Sequence, residues 1–176
     1  MKIITAHDPE WRALFAMERR KLSEIFGPAA LSIHHIGSTS IPDIWAKPVI
    51  DILVEAGDLA RIDACTAGMT AIGYEARGEY GIPGRRYFAR RAIVGERAGI
   101  HIHIYEQGSP HITRHIAFRD YLLARPDAAA KYSALKRSIA DPSGVLPPDY
   151  VARKEDFVRE IERAALSCVA EAAKAQ

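Results

Sequence analysis

The stretch Pro48-Val49-Ile50-Asp51-Ile52-Leu53-Val54-Glu55 constrains the fold most strongly, because it is apolar on both faces of a strand. Such a strand is stable in the interior of a sheet that helices cover on both sides. The stretch therefore predicts a central strand over 48–55 in a sheet with flanking helices. Asp51 interrupts it, and a buried carboxylate among aliphatic side chains needs a cation, a metal ion or hydrogen-bond donors nearby.

A short loop rich in glycine and hydroxyl groups precedes this strand. Residues 35–40 read His-Ile-Gly-Ser-Thr-Ser and follow a predicted strand at 31–36. Backbone N–H groups and hydroxyls at a strand end suit a phosphate. With Asp51 as a metal ligand, the loop predicts a phosphate-and-metal site. The alternative is structural, with Asp51 capping a loop or pairing with Lys47 or an arginine. The predicted phosphate-binding residues of the loop are Gly37, Ser38 and Thr39.

Length and composition set broad limits on the chain. With 176 residues, 48% hydrophobic and 26% charged, residues 1–176 are expected to form a single globular domain. The net charge of +2 is too small to predict general nucleic-acid or membrane binding, and no apolar run approaches a membrane span. The N-terminus lacks a signal-peptide core, and the isolated Cys65 and Cys168 show no CxxC spacing. These features predict a cytoplasmic protein with reduced thiols.

Hydrophobic periodicity and turn residues predict the other elements. A helix begins at Asp8-Pro9-Glu10 and ends at Gly27-Pro28, and a weaker helix covers 58–71. Strands are predicted at 74–77, 86–94 and 100–105, and one helical turn at 41–46. Helices are predicted over 111–124, 127–140 and 149–173. The fold class is therefore α/β or α+β, a mixed β-sheet with flanking helices and a helical C-terminal third.

The segment 100–105 alternates strictly between apolar and polar residues. Its isoleucines fall on one face of the strand, and the other face holds His101, His103 and Tyr105. Two imidazoles on one strand face are spaced to share a metal ion or a phosphate. The alternative is a pair of half-buried, hydrogen-bonded histidines. A cupin metal box is disfavoured, because the following glutamate comes one residue early and a helical C-terminal third does not suit a β-barrel.

Basic residues near the predicted strands are candidate phosphate partners. Alternation places Arg86 and Arg90 on the same face of their strand. An arginine facing the Gly-Ser loop suits a triphosphate through bidentate contacts, so Arg86 is a candidate phosphate ligand together with Lys47. The alternative is that these arginines are solvated surface residues.

The predicted helix at 111–124 carries three further polar candidates. Arg119 lies beside an apolar stripe and is a candidate ligand-facing residue. His111 and His115 are four apart and share a helix face. Because neither has a carboxylate or cysteine close in sequence, both are predicted to be surface or cap residues.

Several ordered segments extend this pattern over almost the whole chain. They are HIGSTSIP at 35–42, AKPVIDILV at 46–54, HIHI at 101–104, FRDYL at 118–122, YSALK at 132–136, and Tyr150 with Lys154. In this order they resemble the GrpB family of bacterial proteins. The family is placed by fold in the nucleotidyltransferase superfamily, so the resemblance implies a nucleotidyltransferase-like fold.

The resemblance also implies roles for the site residues. In the superfamily a Gly-Ser loop holds the β- and γ-phosphates, acidic residues hold Mg²⁺, and a hydroxyl attacks the α-phosphate as pyrophosphate leaves. Gly37 and Ser38 match the loop, and Asp51 matches the first acid as the catalytic residue. Leu53 stands where the second acid belongs, and a histidine stands where the third is expected.

This departure suggests a single metal ion rather than two. Asp51 with His101 and His103 is the expected ligand set, for Mg²⁺ or Mn²⁺ and with Zn²⁺ as an alternative. The expected function is binding of an ATP-like nucleotide with this metal, extended to nucleotidyl transfer to an unknown acceptor. One alternative is a non-catalytic module that binds a nucleotide or a partner protein, as in fusions of GrpB-like segments to dephospho-CoA kinase. A weaker alternative is a metal-dependent hydrolase that uses the His-x-His strand.

Overall fold

The computed structural model describes residues 3–92 and 95–174, and it contains a mixed sheet with helices on both faces. The strands are β1 (Ala30–Ile36), β2 (Val49–Ala56), β3 (Glu75–Ala76), β4 (Arg85–Arg90) and β5 (Gly99–Glu106). Their order in the sheet is β1-β2-β5-β4-β3, with β2 and β5 parallel and the other neighbours antiparallel. The predicted strand at 48–55 lies inside the sheet, as expected.

The helices surround this sheet and dominate the end of the chain. They are α1 (Glu10–Phe26), α2 (Leu59–Ala64), α3 (Thr66–Ala71), α4 (Pro110–Ala124), α5 (Pro126–Ile139), α6 (Tyr150–Arg153) and α7 (Glu155–Lys174). The mixed sheet, the flanking helices and the helical C-terminal third confirm the predicted fold class. Two predicted helices, at 58–71 and 149–173, are each split into two pieces, which meet at Cys65 and Lys154.

Three smaller expectations differ from the structure. The helical turn predicted at 41–46 lies earlier, as a 3-10 helix over Ser38–Ser40, because the amides of Ser40 and Ile41 donate to carbonyls of the loop itself. The strand predicted at 74–77 contains only Glu75–Ala76. The strand predicted at 86–94 ends at Arg90, and its last two positions lie outside the described residues.

The two faces of the sheet differ in composition. One face is aliphatic and packs against α1, α2 and α3 to form the main hydrophobic core. The other face points towards α4 and the later helices and carries the polar side chains of β2 and β5. Since parallel register places Asp51 beside His101 and Leu53 beside His103, alternation confirms that these residues share this second face.

Within residues 3–92 and 95–174, no helix combines the length and the apolar character that a membrane span requires. The cytoplasmic location and the single domain over residues 1–176 stay predictions.

Candidate functional site

A glycine turn brings the backbone against the buried acid. β1 ends at Ile36, directly opposite Asp51 in the antiparallel register, and Gly37 follows with φ 68°. A Cβ atom added to Gly37 would lie 2.5 Å from Oδ2 of Asp51. Only glycine therefore permits both this left-handed conformation and this close approach. The loop and the acid of the predicted site therefore lie directly beside each other.

The hydroxyl groups of the turn have different roles. The buried Thr39 donates its Oγ1–H to the carbonyl of Val49 at 3.0 Å, and Ser40 donates to the carbonyl of Gly37 at 2.6 Å. These two bonds hold the turn in shape. The predicted use of the Thr39 hydroxyl as a phosphate ligand is therefore replaced by a positioning role, because that hydroxyl is already bonded within the protein. Ser38 is the turn residue whose side chain faces the later helices.

Two imidazoles lie beside Asp51. Its Oδ1 is 3.4 Å from Nδ1 of His101 and 3.8 Å from Nε2 of His103. Burial raises the pKa of Asp51, but interaction with the two histidines outweighs burial and holds the pKa well below its usual range. Asp51 is therefore an anionic carboxylate at physiological pH. The structure brings together the three residues that the sequence predicts as metal ligands.

The spacing of these three side chains fits a metal ion in part. A tetrahedral ion with bonds of about 2.0–2.1 Å separates its ligand atoms by roughly 3.4 Å, and Asp51 and His101 lie 3.4 Å apart. His103 is slightly too distant, and its Nδ1 is buried without a hydrogen-bond partner in the described chain. Among the described residues, no group of three or more His, Cys, Asp or Glu is arranged as a complete metal site. Asp51 and His101 fit as ligands, and His103 would have to move inwards to join them.

Leu53 stands at the position where the family resemblance implies a second acid. It is completely buried and packs in a small apolar cluster with Ile36, Tyr105 and Ile112. A carboxylate at this position would therefore be buried in a mainly apolar cluster. This supports the expectation of at most one metal ion beside Asp51.

A buried lysine faces the glycine turn from the helical side. Lys136 on α5 is 1% exposed, and its Nζ donates to Oγ of Ser38 at 3.1 Å and lies 4.2 Å from the ring centroid of Tyr132. Burial, followed by the charge of Lys154, lowers the pKa of Lys136 to about 7. In the part of the chain that the structure describes, Lys136 has no carboxylate partner. A buried amine that is partly protonated near pH 7 therefore lies beside the turn.

Two adjoining cavities lie beside the turn and Asp51; Lys136 contacts Ser38, which lines both of them, but lines neither cavity itself. Their volumes are about 190 Å³ and about 200 Å³. Both are lined by Ser38, Asp51, Tyr132 and Lys154. Lys47 and His101 line the first cavity, and Arg114, His115 and Glu162 line the second. Together they form a two-lobed cleft between the sheet and the C-terminal helices, and the predicted Lys47 belongs to it.

Sequence reasoning missed the C-terminal contribution to this cleft. The available signal was the repeated Tyr-x-x-x-Lys spacing of Tyr132 with Lys136 and of Tyr150 with Lys154, which places each pair on one helix face. Lys136 and Lys154 lie 4.2 Å and 5.9 Å from the ring centroids of their tyrosines. In the sequence these two segments indicate only the family resemblance, so neither lysine is predicted to belong to the site.

The surface role predicted for His115 is wrong. His115 lines the cleft, and its ring centroid lies 5.6 Å from that of His103. Burial, followed by the charge of Arg114, lowers the pKa of His115 to about 3, so the ring is neutral. The spacing of His111 and His115 showed that they share a helix face, but not that this face meets the sheet.

Two predicted phosphate ligands lie elsewhere. Arg86 is opposite Ile104 on the aliphatic side of the sheet, and its Nη2 donates to Asp63 at 2.8 Å. The prediction that Arg86 faces the loop is therefore wrong. Arg119 donates to the carbonyl of His35 at 3.1 Å and to Asp120 at 2.7 Å, so it supports the end of β1.

Comparison with known sequences identifies relatives over most of the chain. The profile of the GrpB protein family matches residues 2–164. The chain is 40% identical over 159 residues to UPF0157 protein YqkA of Bacillus subtilis, covering 90% of this chain and 46% of that protein. It is 31% identical over 180 residues to a dephospho-CoA kinase of Mycolicibacterium paratuberculosis, covering 90% of this chain and 44% of the kinase. The chain thus spans less than half the length of these two relatives.

Solved structures give the same result for the fold. A conserved protein GrpB from Enterococcus faecalis has a TM-score of 0.85 at 37% identity, covering 95% of this chain and 99% of that one. Cid1 in complex with its short product ApU has a TM-score of 0.52 at 15% identity, covering 75% of this chain and 40% of that one. At this identity the second likeness shows a shared fold alone. The family profile and the Enterococcus structure together show that the chain belongs to the GrpB protein family.

Proposed function

We propose that this chain binds a nucleoside triphosphate in the two-lobed cleft, together with a divalent metal ion at Asp51. The observation that carries the proposal is the buried amine of Lys136, which donates to Ser38 and has no carboxylate partner among the described residues. Its pKa of about 7 leaves it partly protonated at physiological pH, and a bound anion would favour the protonated form. A buried cation is costly unless an anion or polar groups compensate it. A phosphate group beside the glycine turn supplies that anion, and charge-assisted bonds from lysines stabilise it.

The shape of the cleft agrees with a ligand of nucleotide size. Typical small-molecule sites have volumes of roughly 300–1,000 Å³. Each lobe alone is smaller than this range, and only the two lobes together approach it. A nucleotide would therefore extend across both lobes, with its phosphates close to Ser38 and Lys154 on the shared wall. Lys47, which also lines the first lobe, adds positive charge on the same side.

The metal ligands in this proposal are Asp51, His101 and, after a small movement, His103. A divalent ion held by these residues would neutralise phosphate charge. Mg²⁺ prefers oxygen ligands, whereas imidazoles suit Mn²⁺ or Zn²⁺ better. We therefore expect Mn²⁺ to support nucleotide binding at least as well as Mg²⁺.

Nucleotidyl transfer extends this proposal. An acceptor hydroxyl oxygen would bond to the α-phosphorus, and the bond between that phosphorus and the oxygen bridging it to the β-phosphate would break. Pyrophosphate would leave, and the hydroxyl proton would pass to water. Asp51 is the catalytic residue in this proposal. Replacing it by Asn should abolish pyrophosphate release without unfolding the protein, as circular dichroism can verify. A folded Asp51→Asn variant that releases pyrophosphate at the wild-type rate rules out transfer through Asp51.

Isothermal titration calorimetry tests the binding step. ATP, CTP and GTP would each be titrated with Mg²⁺, with Mn²⁺ and without metal into the wild type, Lys136→Met and Lys131→Met. A hydrogen bond to a charged group contributes about 1.5–3 kcal/mol, so Lys136→Met should weaken binding at least tenfold. Lys131 is exposed on the same helix, and its substitution should change nothing. Equal affinities for the wild type and Lys136→Met would contradict the proposal.

A second candidate function is a nucleotide-binding module without catalysis. The buried, apolar surroundings of Leu53 favour it, because they exclude a second acid. The similarity of this chain to a segment of a dephospho-CoA kinase agrees with an accessory role. Metal-dependent nucleotide binding without pyrophosphate release would support this function. Metal binding without nucleotide affinity would instead favour the hydrolase that the His-x-His strand suggests.

A further inference from the structure

An exposed tyrosine projects from the loop between β3 and β4. Tyr80 is 62% exposed, the same fraction as the most exposed large hydrophobic residues of the described chain. Its φ is 44°, a left-handed conformation that residues other than glycine rarely adopt. Such a conformation persists only where the surroundings hold it in place.

A buried arginine holds this loop. Arg85 is 6% exposed, and it donates to the carbonyl of Glu79 at 3.1 Å and to the carbonyl of Tyr80 at 2.7 Å. The side chain of Glu79 accepts from the amide of Gly84 at 2.7 Å. The loop is therefore fixed at both sides of Tyr80, and the exposure of the ring is part of the fold.

The ring of Tyr80 is connected to the cleft by other aromatic rings. It stacks on Tyr87 with a centroid distance of 5.2 Å and an interplanar angle of 18°. Tyr87 lies opposite His103 in the sheet, and its ring is 5.6 Å from that of His101. A continuous row of rings therefore leads from the neighbour of Asp51 to solvent.

Positive charge flanks the exposed end of this row. The guanidinium of Arg77 lies 5.3 Å from the centroid of Tyr80 and pairs with the exposed Glu75 at 2.7 Å. The side chains of Arg77 and Glu75 are 24% and 65% exposed, and solvent weakens such a partly exposed pair, so an incoming anion can compete for Arg77. A flat π-face beside an available guanidinium suits a ligand that combines an aromatic ring with an anionic group.

We propose that Tyr80 stacks the base of a second nucleotide, the acceptor, and that Arg77 contacts its phosphate. The inference rests on the proposed function, because it gives the substrate class of the cleft that binds the triphosphate. A nucleobase provides the π-face, its phosphate provides the charge, and the row of rings directs the nucleotide towards Asp51. Stacking on an aromatic side chain tolerates any base, so Tyr80 binds without selecting a sequence.

Fluorescence of 2-aminopurine tests this proposal, because stacking quenches it. The probes are 2-aminopurine riboside monophosphate and a single-stranded trinucleotide that ends in 2-aminopurine. The wild type, Tyr80→Phe and the control Leu123→Ala, which alters an exposed apolar residue of α4, should quench alike. Tyr80→Ala should bind at least fivefold more weakly. Equal affinity for both probes indicates a free nucleotide as acceptor, and tighter binding of the trinucleotide indicates a strand end.

Two results would overturn the proposal: quenching of neither probe by the wild type, or equal affinities for the wild type and Tyr80→Ala. Circular dichroism confirms folding of the variants, and Tyr80→Phe retains the ring. ATP calorimetry on Tyr80→Ala separates the two proposals, because the triphosphate affinity should stay unchanged. If neither the wild type nor any variant binds ATP, the proposed function is contradicted. The quenching experiment tests the stacking on Tyr80 and does not depend on ATP binding.

Discussion

The two faces of the sheet differ in role, although neighbouring residues of the same strands form them. The face towards α1, α2 and α3 is aliphatic and closes the main core, with Ile52 and Ile102 completely buried. The face towards α4 and α5 carries Asp51, His101 and the cleft. Because a step of one residue along a strand changes the face, stability and the candidate site can be altered separately. The following predictions test this separation.

The largest effect is expected at Leu53, a completely buried apolar position of the site face. Leu53→Asp places an unpaired carboxylate in a buried apolar cluster and should reduce the free energy of unfolding by about 4 kcal/mol or more. Urea denaturation measures this loss, and Leu53→Met should lose less than about 1.5 kcal/mol. A Leu53→Asp protein with wild-type stability would show that this face tolerates a second acid, and would restore the two-metal hypothesis.

On the aliphatic face, Ile102→Ala removes a completely buried side chain from the main core. It should reduce the free energy of unfolding by about 2–5 kcal/mol, while the nucleotide affinity of the folded protein stays unchanged. The adjacent His101, whose side chain is 40% exposed, provides the matched control. His101→Ala should cost less stability than Ile102→Ala, because it removes a half-exposed side chain, and should weaken metal-dependent binding. Equal losses of stability for both variants would contradict the separation of the faces.

The lowered pKa of Lys136 predicts a pH dependence of stability. Between the folded pKa of about 7 and the ordinary value of 10.5, the unfolded chain retains a proton that the folded protein releases. Stability should therefore rise with pH in this window, by up to about 1.4 kcal/mol per unit. Urea denaturation of wild type and Lys136→Met at pH 7 and pH 8.5 isolates this contribution, because the variant lacks the group. Parallel pH profiles would show that Lys136 is not desolvated.

Gly37→Ala tests the contact between the turn and the acid. The added Cβ would lie 2.5 Å from Asp51 and would require an unfavourable positive φ, so we expect a loss of about 1–3 kcal/mol in the free energy of unfolding. Triphosphate binding should weaken as well, because the turn must move. Gly78→Ala, where the Cβ meets open space at a similar φ of 57°, controls for the backbone conformation. Identical losses in both variants would remove the close approach as an explanation.

The smallest effect is expected for the arginine that sequence reasoning placed in the site. Arg86→Gln removes a surface ion pair with Asp63, which should cost less than about 1 kcal/mol. Nucleotide affinity should not change, because Arg86 lies on the face opposite Asp51. A clear loss of affinity in calorimetry would show that the assignment of the faces is wrong for ligand binding.

Local sequence patterns predicted part of this arrangement, and long-range contacts account for the remainder. The alternation of apolar and polar residues in β5 predicted that His101 and His103 share a face. The glycine-rich loop before β2 predicted that the turn lies near Asp51. The contact of Lys136 with Ser38 joins residues 98 positions apart, which no local periodicity reports. Alternation also placed Arg86 and Arg90 together correctly, but it does not tell which face meets the loop. The family resemblance includes the segment 132–136, but it does not predict that the side chain of Lys136 lies at the site.

Nuclear magnetic resonance of the lysine ammonium groups tests the central claim most directly. The Nζ signal of Lys136 is assigned by its absence in the Lys136→Met variant. It is then followed through a pH titration in a buffer that contains Mg²⁺ but no Mn²⁺, once with a non-hydrolysable triphosphate and once without it. We predict a pKa of about 7 for the free protein and a clear rise in the pKa when the triphosphate binds, because a neighbouring anion stabilises the charged form. A Lys136 signal whose pKa is unchanged by saturating triphosphate would contradict a phosphate site at the glycine turn.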